Sequence, residues 1–179
     1  MASTGNCLVQ LGLTLPAGDN HSWCCPYRIS SSYSGSYTSY CDISKQDYSD
    51  FIVGSNPAFP ALPDLFRVDG ISASIVLNAQ SSTVRDVSVR LTMSGIPISG
   101  SINMASNSGW PGDRVSRIYG GSDNCWGCVL DKQAVESPAF GIRLQAYNSS
   151  TDEKRAFVGR MYVNLYYTEL PRASVRYFV

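Results

Sequence analysis

The only histidine, His21, lies beside Cys24 and Cys25, and a thiol next to an imidazole base is the raw material of a cysteine nucleophile. Residues this close along the chain rarely reach the required geometry, so the pair does not read as catalytic. Cys125-Trp126-Gly127-Cys128 is a C-x-x-C, a spacing that grips one tetrahedral zinc. A second clean C-x-x-C is missing, and adjacent Cys24-Cys25 makes an awkward chelate. Small buried thiols flanking a packed Trp126 fit better. A thioredoxin-type role lacks its βαβ context. The acid pairs Asp47/Asp50 and Asp152/Glu153 could serve a glycosidase, but they sit in polar, loop-like stretches and read as solvated charges. Gly120-Gly121-Ser122-Asp123 reads as a tight turn, since no helix of useful length follows to cradle phosphate. The expectation is a non-enzymatic chain with no catalytic residue, metal or cofactor.

Aromatic residues are the stronger signal, with 11 Tyr, 6 Phe and 3 Trp. Trp110, Tyr119 and Trp126 would stack on sugar rings if exposed and would be core if buried. Residues 30–41, rich in Ser, Tyr and Gly, read as a flexible surface loop or a contact surface carrying Tyr33, Tyr37 and Tyr40. The tail ends in Arg172, Arg176, Tyr177 and Phe178, an apolar and cationic arm that needs a docking partner.

The elements that would carry these residues are strands. In 84–93, Val87, Val89, Leu91 and Met93 alternate with Asp86, Ser88, Arg90 and Thr92. In 140–146, Phe140, Ile142, Leu144 and Ala146 alternate with Gly141, Arg143 and Gln145. A period of two marks half-buried strands, and several at short spacing predict a sandwich or barrel. Residues 8–15 read as a first strand or an arm. Residues 54–65, with three prolines, read as an extended connector excluded from any central strand. Gly70 marks a bulge or bend in the strand 64–78. One helical turn is expected at 131–136, capped by Asp131 and ended by Pro138.

The chain of 179 residues fits one domain, and its 14 basic and 14 acidic residues give zero net charge. That balance argues against nucleic acid, whose binding needs many phosphates neutralised. No apolar run approaches the roughly 20 residues that cross a bilayer, so no membrane insertion is expected. The first residues lack a basic, then apolar, leader, which points to synthesis in a cytoplasm. A reducing cytosol favours free thiols for the six cysteines, with disulfides and a metal site as the alternatives.

The order of Asp69-Gly70-Ile71, Trp110-Pro111, Tyr119-Gly120-Gly121-Ser122-Asp123, Trp126-Gly127, Phe140-Gly141-Ile142 and Val163-Asn164-Leu165-Tyr166-Tyr167 resembles a β-sandwich domain that recurs in bacteriophage virion and prophage surface proteins. The resemblance covers about residues 64–168. It implies a structural or adhesive virion part, in a tail, collar, fibre attachment or capsid decoration, and transfers no catalytic residue. Cys125, Cys128 and Gly159 depart from the pattern. The resulting expectation is an all-β, jelly-roll-like β-sandwich with extended N- and C-terminal arms. It divides into 1–63 (arm or strand plus connector), 64–168 (sandwich core) and 169–179 (arm). The expected partners are other virion proteins and copies of itself, through Tyr33, Tyr37, Tyr40, Arg172, Arg176, Tyr177 and Phe178. The alternative is a host-surface glycan on Trp110, Tyr119 and Trp126. An enzyme that depolymerises glycans ranks last.

Overall fold

A computed structural model describes residues 1–18, 21–30 and 38–171. Among the described residues, eleven strands carry the fold: β1 (Ala2–Ser3), β2 (Cys7–Leu15), β3 (Ser39–Ile43), β4 (Asp47–Tyr48), β5 (Phe51–Pro57), β6 (Phe66–Ala79), β7 (Val84–Met93), β8 (Ile96–Pro97), β9 (Val115–Gly121), β10 (Phe140–Asn148) and β11 (Lys154–Glu169). All strand pairings are antiparallel. The front sheet runs β9-β6-β11, with β3, the start of β2, and β1 successively lining the other edge of β11. The back sheet runs β8-β7-β10-β5-β2, with β4 beside β10. Strand β2 belongs to both, because Cys7 and Leu8 pair with β11 while Val9–Leu15 follow β5. The chain is all-β, a sandwich of two antiparallel layers.

The core lies between the layers. From the front sheet come Ile71, Ala73, Ile75, Leu77, Val158, Met161, Val163 and Leu165; from the back come Val9, Ile52, Val89, Leu91, Ile142 and Leu144, all buried. The alternation read in 140–146 holds: Phe140, Ile142, Leu144 and Ala146 face inward. That in 84–93 breaks at one residue. Gln145 pairs with Ser88 and Ala146 with Asp86, so Val87 is an extra residue in the ladder. This bulge reverses the faces and turns Asp86, expected on the solvent side, into the core at 0% exposure.

The first 57 residues supply five strands, so the sandwich is wider than 64–168, and residue 63 is no seam. The proline-rich reading also needs correction. Residues 54–57 end β5, which lies between β2 and β10; Pro57 is tolerated because it is the strand's last residue. Gly70 does mark a register shift, opposite Tyr166. The expected helical turn is α1 (Lys132–Glu136), and the Asp131 side chain caps it by accepting from the Ala134 N–H at 2.7 Å.

Asp86 clasps the layers together. It sits on β7 in the back sheet, and Arg117 on β9 in the front sheet donates to its Oδ1 at 2.5 Å. Trp110 Nε1 donates to the same oxygen at 3.1 Å, and the Ser106 N–H to Oδ2 at 2.6 Å. Removing one partner of a buried pair strands the other charge. Asp86→Ala is therefore expected to cost about 3–5 kcal/mol in urea unfolding; a loss under about 1 kcal/mol would show that Arg117 finds water instead.

Candidate functional site

The three residues expected to stack on sugars are in the wrong place. Trp110 and Trp126 are fully buried and Tyr119 nearly so. Their polar ends explain why. Trp126 Nε1 donates to the Ile71 carbonyl at 2.8 Å, and Trp110 Nε1 to Asp86. Gly120, at φ +76°, leaves room for the Trp126 indole; a Cβ there would strike both Ile71 O and Trp126 Nε1. Burial, then the nearby Asp86 charge, raises the Tyr119 pKa above the ordinary phenol value. These rings anchor loops and cannot offer a face to a ligand. Tyr33, Tyr37, Arg172, Arg176, Tyr177 and Phe178 lie outside the described residues. Tyr40 is described, on β3, beneath the Arg155 guanidinium at 4.5 Å.

The sequence's chemical candidates are also used structurally. The His21 ring pairs with Asp47 at 3.2 Å rather than with a thiol. Asp50, expected as a solvated charge, is buried and accepts from the Ala17 N–H at 2.9 Å and the Ser22 hydroxyl at 2.5 Å. All six cysteines are free thiols. Burial, helped by the Asp42 charge, pushes the Cys41 thiol up to about 12. Cys24 alone is lowered, by hydrogen bonds with Cys25 and then Tyr40. No group of three His, Cys, Asp or Glu that could hold a metal occurs among the described residues. Two shallow depressions, of about 300 and 380 Å³, each hold one carboxylate, Glu136 and Asp131 respectively. Glycoside hydrolysis uses two flanking one bond.

What the fold does assemble is two broad faces. On the front sheet, Phe157, Tyr162, Asn164 and Tyr166 of β11 alternate with Val158, Met161, Val163 and Leu165, which fill the core, and Arg160 stands exposed between Phe157 and Tyr162. Cross-strand partners continue each row. Tyr40 and Asn78 flank Phe157, Leu8 and Ser74 flank Tyr162, and Ser72 lies beside Asn164. Ser74 and Ser116 share a hydrogen bond at 2.5 Å, and Ile118 beside them is 69% exposed. Asn78 Oδ1 is a buried acceptor without a partner. The face is therefore half-buried aromatic rings set among neutral hydroxyls and amides, of which Ser72 and Asn164 are largely covered, with Arg160 as an exposed cation on the same strand. One ion pair borders it: Asp42 accepts both Arg155 Nε and Nη2, at 2.6 and 2.7 Å.

The back sheet differs. Its outward side carries Arg143 stacked over Phe51 at 3.9 Å and Arg85 over Tyr147 at 5.3 Å. Tyr48 lies against Tyr147, ring centres 4.7 Å apart. Leu11 and Leu13 of β2 stand beside them, 53% and 37% exposed. At one end the Ser94–Gly95 turn packs on Leu15 and roofs Val53, which is why that outward valine is buried. Sequence reasoning missed both faces. The aromatic alternation in 157–166 was a usable signal for the first; the second joins strands distant in sequence.

No protein-family model matches the chain, and no curated protein matches it. Among solved structures, the N-terminal cellulose-binding domain of β-1,4-glucanase C from Cellulomonas fimi superposes with a TM-score of 0.41 at 8% identity, over 92% of this chain and 98% of that one. At this similarity the likeness bears on neither ligand nor site.

Hydrogen bonding by Arg155 is the main reason the Asp42 carboxyl is held below its usual range. A depressed carboxylate stabilises the fold above its unfolded value, about 3.9, and that stability is lost as pH falls through the folded value. The melting temperature of Asp42→Asn should therefore lie below the parent's at pH 7, and the gap should close as pH drops below about 4. A gap independent of pH would mean that packing, not charge, holds Arg155 over Tyr40.

Proposed function

We propose that this chain is a non-enzymatic carbohydrate-binding β-sandwich module, and that the outer side of the front sheet is its binding surface. The observation that carries the reading is the row Phe157, Tyr162 and Tyr166 along one strand, with Ser74 and Asn78 beside it. Sugars present apolar C–H faces and a fringe of hydroxyls. Rings on a rigid sheet supply apolar area at low entropic cost, and neutral amides and hydroxyls supply orientation. Tyr162 and Tyr166 lie about 13 Å apart at the usual rise of a strand, a span suited to an oligosaccharide rather than one sugar.

A second reading is a subunit of a bacteriophage particle. It is supported by the motif order across residues 64–168 and by exposed Leu11 and Leu13, which a neighbouring subunit would cover. Light scattering separates the two, since a subunit should form a stable oligomer that disappears when residues 172–179 are removed.

The carbohydrate reading is tested on a panel of soluble polysaccharides by affinity electrophoresis. Tyr162→Ala and Tyr166→Ala should each weaken retention about tenfold, or 1.4 kcal/mol, with unchanged melting temperature. Retention equal to the parent's in both variants, or none on any polysaccharide, would sink it.

A further inference from the structure

Arg143 of β10 and Arg90 of β7 stand directly opposite each other on the outer side of the back sheet. Like charges in this position repel and destabilise a sheet. Nothing nearby neutralises them: among the described residues no carboxylate lies within ion-pairing distance of Arg85, Arg90 or Arg143. By contrast, Arg117 pairs closely with Asp86 and Arg155 with Asp42. The three are also held in place. Phe51 supports the flat side of Arg143 and Tyr147 that of Arg85, while Arg90 donates to the Ser101 carbonyl. Nε of Arg143 and Nε of Arg85 are buried donors with no acceptor. Burial, and then Arg90, lower the Arg143 pKa, as expected of a cation lacking its counterion. The regular ladder of β10 puts Arg143, Gln145 and Tyr147 on one side, so Arg85, opposite Tyr147, shares the face about 13 Å along the strand.

Because both Nε atoms are buried, a ligand would meet the outer Nη ends of these guanidinium groups, and a carboxylate is the acceptor that fits such an end-on planar cation. The surroundings narrow the ligand. Three arginines on a chain of zero net charge are too few to neutralise a nucleic-acid backbone. Leu11 and Leu13 add apolar surface on the same side, which a sugar ring's C–H face can cover. We infer that the outer side of the back sheet binds a uronic-acid-bearing polysaccharide, one carboxylate lying between Arg90 and Arg143 and another reaching Arg85. This takes only the ligand class, carbohydrate, from the function proposed above, and it uses the opposite face.

The test is calorimetric titration of the full chain with polygalacturonate, with the same polymer after its carboxyls are reduced to alcohols, and with dextran sulfate. The acid polymer should bind, more weakly as salt is raised, and the reduced polymer at least tenfold more weakly. Arg143→Met keeps an apolar stem on Phe51 and removes the repulsion. It should lose at least tenfold in affinity for the acid polymer while its melting temperature stays equal or rises. Arg85→Met serves as the second variant, with the same expected loss. The inference is overturned if the folded parent ignores polygalacturonate, if dextran sulfate binds equally well, or if neither arginine variant weakens binding. A lowered melting temperature in both arginine variants would also overturn it, since structural arginines behave so. Loss in Tyr162→Ala with the arginine variants unaffected would place acid binding on the front face, sparing the carbohydrate reading and ending this one.

Discussion

One carboxylate, that of Asp86, holds the two layers in register where their sheets are not joined by β2. A sandwich shares its core between layers, but apolar packing does not by itself fix how one layer slides over the other. Asp86 adds direction. It projects inward from β7, receives Arg117 from β9 across the interior, and gathers the Ser106 amide and the Trp110 indole from the intervening loop. A buried charge is tolerated only when its hydrogen-bonding capacity is filled, and here four separate donor groups converge on it, the Ser106 hydroxyl being the fourth. The bulge at Val87 is the geometric condition for all of this. Without it Asp86 would point to solvent and Trp110 would lack an acceptor.

That constraint sorts the aromatic residues into two kinds. Indoles sit where a long loop must be pinned to the core: Trp23 to the Asp50 carbonyl, Trp110 to Asp86, Trp126 to the Ile71 carbonyl. Each N–H finds an acceptor, as burial of a tryptophan demands. Tyrosines such as Tyr40, Tyr147, Tyr162 and Tyr166, unlike the buried Tyr119, instead sit at outward strand positions, on rigid backbone. Anchoring and presentation are thus divided between residue types, and loops that hold a tryptophan can be long and polar without loosening the sheets above them.

The sequence makes most of the strands and α1 with its Asp131 cap legible, because those depend on short-range pattern. Three features are hidden for a common reason. The inward turn of Asp86 depends on which β10 residue faces Ser88. The burial of Trp110 and Trp126 depends on acceptors 24 and 55 residues away. The pairing of Arg90 with Arg143 depends on a strand order in which β7 meets β10 rather than β6. Each is a property of register between distant segments, and register is not written in any single strand's alternation.

The same topology explains how a chain with no net charge carries two electrostatically different faces. The acids that would neutralise Arg90 and Arg143 exist in the composition, but the fold places them elsewhere: Asp86 and Asp50 inward, Asp42 on the front rim, Asp69 beside Arg67 and Thr168. A zero sum over the chain therefore says little about any one surface, since what reaches a ligand is the local sum within about one Debye length, roughly 8–10 Å. On the back sheet that local sum is positive and supported by aromatic rings; on the front sheet hydroxyls and amides dominate, with Arg155 paired to Asp42 and Arg160 as the exposed cation. Stability alone would favour an opposite charge or an apolar residue at position 143, because like charges across a ladder repel. Phe51 beneath Arg143 offsets part of that repulsion, and a bound anion would offset more of it.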